Sequence, residues 1–373
     1  MAHATNGVHA SINSSKPTVL HLGDPISYNH LLHARLHSNF DIVRPDLGEL
    51  HRPEFIKHLK DKTWGDFSAI MRPFWNTGGE MGRWDRQLID LLPKSMKVMA
   101  SAGAGFDWID TDILGERGMF CHASRIPCHT LTKFPTGIIY TNGAGASTES
   151  VADMALFLII SVFRQMTWSS LAARSNSPTD FQKAHQRSMY TSHNPRNHTL
   201  GIVGLGNIGL AIAKKVRAGL GMRILYNDVE QKPATQEDEV AATFYDSLDQ
   251  MLQVSDCVLL ASPHGPPILH ARTLSLLRPG SRVVNIARGS LIDEDALADA
   301  LESGHVSAAG LDVHAHEPTP SARLSDRRDV TLTCHTGGAS VETIVAFERL
   351  AMENVEAVLL GREPLTAVNL RAL

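Results

Sequence analysis

Residues 199–228 constrain this chain more than any other stretch. They begin Thr199-Leu-Gly-Ile-Val-Gly204-Leu-Gly206-Asn207-Ile208-Gly209 and end Arg223-Ile-Leu-Tyr-Asn-Asp228. Three glycines spaced G-x-G-x-x-G carry little information alone. Here they follow a short apolar strand over 200–203 and open a helix over 208–216, and an acid, Asp228, stands 19 residues past the last glycine. That context is what a dinucleotide-binding turn requires. Gly204 permits the tight turn, Gly206 lets a pyrophosphate approach the backbone, and Gly209 lets helix and strand pack closely. The helix N-terminus, with Asn207 and Ile208 in its first turn, then faces the phosphates. The Asp228 carboxylate accepts from a ribose 2′-hydroxyl and repels a 2′-phosphate, and no Arg follows it directly. The expected cofactor is NAD, as NADH, rather than NADP.

With 373 residues, 43% of them hydrophobic and 20% charged, the chain is long enough for two domains with separate cores. A net charge of -4 leaves no footprint for nucleic acid or an anionic membrane. The longest apolar run, 154–163, is too short to span a bilayer, and no apolar segment of the secretory type follows the first Met. Neither nucleic acid nor membrane is therefore expected as a partner. The four Cys do not form a disulfide framework, and a reducing, cytoplasmic setting is expected. Residues 1–16 are small and polar and are expected to be disordered.

Strand-like segments at 19–22, 41–44, 69–72 and 97–100 alternate with helical or turn-linked pieces at 88–92 and 109–117, which predicts a smaller α/β domain. Residues 150–165 read as a strongly apolar helix connecting two domains, and the polar stretch 175–198 as a linker or surface arm. From residue 200 six strands follow one fingerprint, at 200–203, 223–227, 257–262, 282–287, 308–313 and 330–335. That regularity predicts a doubly wound parallel sheet. The last helix, 342–360, is long enough to return to the first domain. The expected fold is α/β, with two Rossmann-like domains built on doubly wound parallel sheets. A cofactor domain (150–340) is inserted into a smaller substrate domain (17–149 plus 341–373).

Ligands of open parallel sheets bind outside the carboxyl ends of the strands. Three polar residues stand there: Arg288 after 282–287, Glu317 just past 308–313, and His335 after 330–334. Counted as the fourth to sixth strands, these are neighbours, so the three side chains should converge. A guanidinium grips a carboxylate at two points. An imidazole gives or takes a proton near neutral pH, and a carboxylate beside it favours the imidazolium and fixes the tautomer. With a nicotinamide they would reduce a 2-keto acid. Singly, each also fits a plain turn or solvated loop; it is the convergence that points to a site.

The run 200–228, the segment Asn285-Ile-Ala-Arg288-Gly289-Ser-Leu-Ile-Asp, the segment Gly310-Leu-Asp312 through Glu317-Pro, and His335-Thr-Gly-Gly338 resemble the D-isomer-specific 2-hydroxyacid dehydrogenase family. The resemblance runs from residue 17 onward. It implies Arg288, Glu317 and His335 as catalytic residues, with His335 the proton donor. It implies a substrate-carboxylate loop at Ser101-Ala-Gly-Ala104-Gly105-Phe-Asp107, where the N–H groups of Ala104 and Gly105 bind alongside Arg288. Cofactor contacts are implied at Ser262, Pro263, Ile286, Ala287, Arg288, Asp312, His335 and Gly338. A small 2-keto or 2-hydroxy acid substrate and a homodimer are implied as partners. Four short stretches, at 102–108, 161–164, 193–196 and 347–350, look like the fungal D-mandelate dehydrogenase branch. Phe74 and Trp75, just past a strand end, are candidate walls of an aromatic pocket. Glyoxylate/hydroxypyruvate reduction is the nearest alternative. Transcriptional co-repressors that sense NAD form a further class, but they are not matched here by a low-complexity tail or a charged arm.

Two departures stand out. The loop Ser262-Pro263-His264-Gly-Pro-Pro267 looks shorter than the family's and lacks its usual Thr. Residues 119–137 are a 19-residue insertion between Glu-Arg-Gly118 and a strand at 138–142. The insertion holds Cys121-His122 and Cys128-His129, but C-x6-C with no second pair is no common zinc motif, and no metal is expected. Gly118-Met119-Phe120 is encodable with the donor-type splice signal GTATGT. Leu131-Thr132 is encodable with a branch-point-like CTGAC or CTAAC, and Thr136-Gly137 with the acceptor ACAG. Removing the stretch keeps the frame and rejoins Glu-Arg-Gly to Ile-Ile-Tyr. The insertion reads as translated intron.

Overall fold

Twelve short strands among the described residues, mostly apolar, build two parallel sheets. The computed structural model describes residues 16–73, 81–117 and 137–372. The contacts divide the chain into two compact units: one runs up to Ala144 and resumes at Ile344, and the other is Gly145–Thr343.

In the first unit β1 (Thr18–His21), β2 (Asp41–Val43), β3 (Ala69–Arg72), β4 (Val98–Ser101) and β5 (Ile139–Thr141) lie in the order β2-β1-β3-β4-β5. The order reverses beside β1, so the sheet is doubly wound. β3 and β4 are buried along their whole length, which is why they read as continuous apolar runs rather than alternating ones.

The second unit holds β6 (Thr199–Val203), β7 (Arg223–Asn227), β8 (Ala242–Phe244), β9 (Cys257–Leu260), β10 (Ser281–Asn285), β11 (Val306–Leu311) and β12 (Val330–Leu332). Their order is β12-β11-β10-β9-β6-β7-β8, all parallel. The helix Thr148–Arg164 packs Val151, Ala155, Leu158, Ile159, Val162 and Phe163 into this unit's core. It stops at Gln165, which takes the left-handed conformation. No single helix among the described residues is long and apolar enough to cross a membrane.

Three expectations need correction. The stretch expected as a linker or surface arm over 175–198 contains a helix, Pro178–Thr191, that was not expected. Its start is written in the sequence: Ser177 accepts from the Asp180 N–H and Pro178 fills the first turn. Its single buried residue is Ala184, so no apolar stripe advertised it. The sheet also gains β8, an edge strand of three residues, none of them fully buried. The site strands are thus the fifth to seventh of their sheet, and they remain neighbours. Finally, β10 ends at Asn285 and β12 at Leu332. Arg288 and His335 therefore stand on loops three residues past their strands. Phe74, Trp75, Cys121, Cys128 and nearly all of the two terminal and inserted stretches singled out above lie outside the described residues.

The first unit holds its returning C-terminal helix by a buried acid. Glu348 accepts from the N–H groups of Ser27 (2.6 Å), Tyr28 (3.0 Å) and Asn29 (2.9 Å) and from Asn29 Nδ2 (3.0 Å). These residues lead into the helix His30–Asn39, whose N-terminus favours a negative charge. Burial pushes the Glu348 carboxyl up, but these donors outweigh it, and the net shift is downward. A depressed folded-state value gives stability that is present above the unfolded pKa, about 4.3, and lost as pH falls through the folded value. Glu348→Gln should cost about 2 kcal/mol at pH 7. The gap between wild type and variant should close in denaturant titrations carried progressively below pH 4; a pH-independent gap would contradict this account.

The described flanks of the insertion meet without it. The Ile138 N–H donates to the Leu114 carbonyl at 2.9 Å. Gly137, the last residue of the insertion, lies so close to Gly115 that a Cβ on it would fall 1.9 Å from the Gly115 oxygen. A chain that joins Gly118 directly to Ile138 should unfold at the same or a higher temperature, with a gain of about 1 kcal/mol or less from the shorter loop. Loss of the cooperative transition in that variant would show the segment to be integral.

Candidate functional site

The glycine-rich turn has the geometry its spacing predicts. Gly204 sits at φ +97°, and a Cβ there would lie 2.9 Å from the Ala261 oxygen. A Cβ on Gly209 would lie 2.2 Å from the Gly204 oxygen, so helix and turn are packed backbone to backbone. Gly206 precedes the helix Asn207–Lys215, and a Cβ there would meet nothing within 4 Å. The second glycine thus leaves room where a pyrophosphate needs it. Ser262, just past the end of β9, has a buried Oγ with no partner among the described residues. Open space at Gly206 and an unsatisfied hydroxyl near the same turn fit a bound dinucleotide.

Asp228 closes the turn. Its Oδ2 accepts the Leu205 N–H at 2.8 Å and its Oδ1 the Val229 N–H at 2.8 Å. Lys232 pairs with it at 3.0 Å. Burial pushes this carboxyl up, but the Lys232 ammonium and the two N–H groups outweigh it, and the net shift is downward. The sequence reading had no place for Lys232; its signal was a base four residues past the acid.

At the other half of the sheet three loops converge. β10, β11 and β12 are hydrogen-bonded neighbours. Past β10, the buried Asn285 braces the turn to half-buried Arg288: its Nδ2 donates to the Arg288 oxygen (2.8 Å) and its Oδ1 accepts from the Ala287 N–H (3.0 Å). Ile286 and Ala287 are nearly covered. Gly289 then presses on the next loop, where a Cβ would fall 1.9 Å from the His314 carbonyl carbon. Past β11, Glu317 accepts the His314 N–H at 3.0 Å. Past β12, His335 Nδ1 lies 2.9 Å and 3.1 Å from the two Glu317 oxygens. An Nδ1–H donated to Glu317 fixes the tautomer of the ring and makes Nε2 the nitrogen that does not bear on Glu317.

His335 occupies the left-handed region, φ +54°. Asp312, 2% exposed, holds it there. The Asp312 carboxylate accepts Thr333 Oγ1 (2.6 Å) and the N–H groups of Thr336 (2.9 Å) and Gly337 (2.8 Å), and its carbonyl accepts the His335 N–H (2.7 Å). The resemblance implies Asp312 as a cofactor contact; in the structure its carboxylate also braces the loop that carries His335. Gly338 follows, with its Cα side facing Ser147. Pro263 is exposed beside Ser262. Thr333 and Asn285 were missed because their partners are set by the folded loops rather than by spacing.

In the smaller unit, Gly103 at φ +83° turns the chain after β4. Asn142 Nδ2 donates to the Ala104 oxygen at 2.8 Å, and the Gly143 N–H to the Gly103 oxygen at 2.7 Å. These bonds fix the loop by its carbonyls, while the N–H groups of Ala104 and Gly105 donate to no other described residue.

Comparison with known proteins agrees with this geometry. Residues 156–337 match the family profile described as "D-isomer specific 2-hydroxyacid dehydrogenase, NAD binding domain". The chain is 33% identical over 294 residues to a glyoxylate reductase of Thermococcus onnurineus, covering 78% of this chain and 81% of that one. Among solved structures it is similar to D-mandelate dehydrogenase of Rhodotorula graminis, holo form, at 39% identity and TM-score 0.87, covering 95% of this chain and 98% of that one. It is also similar to a glyoxylate reductase from Paecilomyes thermophila at 31% identity and TM-score 0.81, covering 96% and 100%.

Proposed function

The chain belongs to the D-isomer specific 2-hydroxyacid dehydrogenase family, as an oxidoreductase acting on CH–OH groups with a nicotinamide cofactor, and from that premise we propose that it reduces 2-keto acids with NADH through Arg288, Glu317 and His335. The observation that carries this reading is the Glu317–His335 contact at 2.9 Å, next to the loop bearing Arg288. When bound, the cofactor supplies a hydride to the keto carbon. His335 delivers a proton from Nε2 to the keto oxygen, while Glu317 holds Nδ1–H and stabilises the imidazolium before transfer. Arg288 grips the substrate carboxylate in a two-point fork. The N–H groups of Ala104 and Gly105 act as carboxylate donors in the smaller unit. Gly204, Gly206, Asn207, Ile208 and Gly209 receive the pyrophosphate, and Asp228 takes the adenosine ribose. Ser262 Oγ, unpartnered among the described residues, is a further cofactor donor.

The substrate we favour is a bulky or aromatic 2-keto acid, the keto partner of a compound such as D-mandelate. Its support is the 39% identity to the Rhodotorula enzyme across nearly the whole chain. Glyoxylate or hydroxypyruvate is the second reading, supported by the two glyoxylate reductases above. NADH oxidation over a panel of 2-keto acids separates them, and no turnover with any would favour an NAD-sensing co-repressor instead. His335→Gln should lower kcat by about 10²–10⁴-fold and leave NADH affinity unchanged. Arg288→Lys should raise the keto-acid KM by about tenfold or more, because an ammonium lacks the planar fork. Unchanged kinetics in either variant would remove that residue from the mechanism.

A homodimer is the assembly we favour. The helices Thr148–Arg164 and Pro178–Thr191 expose Phe157, Phe181, Met189 and Tyr190, four large side chains that cost free energy in water. Sedimentation should give twice the chain mass, and Phe181→Asp with Tyr190→Asp should give the single chain. A monomeric wild type would reject this assembly.

A further inference from the structure

We propose that Lys232 makes the adenosine-ribose end of the cofactor site a charge-neutral pair, able to take the 2′-phosphate of NADPH as well as the 2′-hydroxyl of NADH. The inference rests on the reading of Asp228 as the ribose acceptor. An isolated aspartate at this position excludes NADPH because a carboxylate repels a 2′-phosphate. Asp228 is not isolated. The Lys232 ammonium lies 3.0 Å from Oδ2, and the two side chains are only 23% and 14% exposed. At that burial the pair is screened far less than a surface ion pair.

The lone pairs of Asp228 point the same way. Oδ2 accepts the Leu205 N–H and Lys232, and Oδ1 accepts the Val229 N–H. Of about four acceptor positions on a carboxylate, three are taken. The one left, on Oδ1, suffices for a single ribose hydroxyl. Lys232 keeps two further N–H donors, and an ammonium is a competent point-charge partner for phosphate.

Lys232 is also held in place rather than left to swing. Its backbone N–H donates to Tyr226 Oη at 2.8 Å. Tyr226, buried on β7, donates that hydroxyl to Glu237 at 2.7 Å, and Gln231 Nε2 donates to the same carboxylate at 3.1 Å. Burial and the Glu237 charge push the Tyr226 hydroxyl up to about 12, so it stays a donor throughout the neutral range. β7 leads directly into this loop, and the Asn227 carbonyl accepts the Gly204 N–H at 2.8 Å. The lysine is thereby tied to the same turn that receives the pyrophosphate.

The test measures binary complexes of the full chain with NADH and with NADPH by fluorescence titration, together with adenosine 2′,5′-bisphosphate by calorimetry. Wild type should bind NADPH within about tenfold of NADH. Lys232→Met should weaken NADPH and the bisphosphate by about tenfold or more and leave NADH within about twofold. Lys232→Arg should restore NADPH binding. Wild-type NADPH binding more than about a hundredfold weaker than NADH overturns the inference, as does a Met variant that moves both cofactors equally or leaves NADPH unchanged or tighter. If neither cofactor binds the wild type, the cofactor reading itself falls and takes this inference with it.

Discussion

The buried carboxylate of Asp312 decides where His335 can stand. A histidine at φ +54° bears a steric cost of roughly 1–2 kcal/mol that glycine would not. A carboxylate buried without donors would cost far more. The two problems solve each other: the turn at His335 aims the N–H groups of Thr336 and Gly337 at Asp312, and Asp312 holds the turn. The same contact explains a glycine. A Cβ on Gly337 would lie 2.7 Å from Asp312 Oδ2, so only glycine lets that N–H come close enough.

Asp228 uses the same device at the other half of the sheet, with a different outcome. Both acids end a strand, and both gather backbone N–H groups from a glycine-containing turn. Asp312 takes three donors from one short loop and is covered. Asp228 takes one donor from the glycine-rich turn, one from its own neighbour and one from Lys232, and it stays partly open. One carboxylate is covered and fixes a loop; the other fixes a turn and stays partly open.

Much of this was legible in the chain. Parallel strands buried on both faces read as apolar runs, so β3, β4, β6, β9 and β10 were visible without an alternating pattern. β8 was not, because a three-residue edge strand without a fully buried residue has too little apolar pattern. The helix Pro178–Thr191 was not, because it buries one alanine and its larger apolar side chains, Phe181, Met189 and Tyr190, are exposed rather than lined up on a core face. In the site, Arg288, Glu317 and His335 stood out because charged side chains past buried strands have few structural uses. The work of Asp312 did not stand out: its donors lie 21 to 25 residues along the chain and converge only once the loop adopts a left-handed turn. Lys232 was hidden for a related reason, since a base four residues from an acid is informative only when the intervening loop is known to fold back.

The loops that carry Glu317 and His335 are bound to one another by the protein's own contacts. Gly289 meets His314 at backbone contact, the His314 N–H holds Glu317, and the His314 ring reaches the Thr333 carbonyl at 2.8 Å. Each loop is therefore a wall for the next, and the Glu317–His335 geometry is a property of one unit's sheet. For the reaction proposed above, that arrangement preorganises the chemical step, which is where fixed donors gain most. On the same proposal, it also leaves the choice of side chain on the substrate to residues outside these three loops. A chain can then change which keto acid it accepts without disturbing Asp312, His335 or Glu317, and a shared reaction across relatives that differ in substrate is what such a division of labour permits.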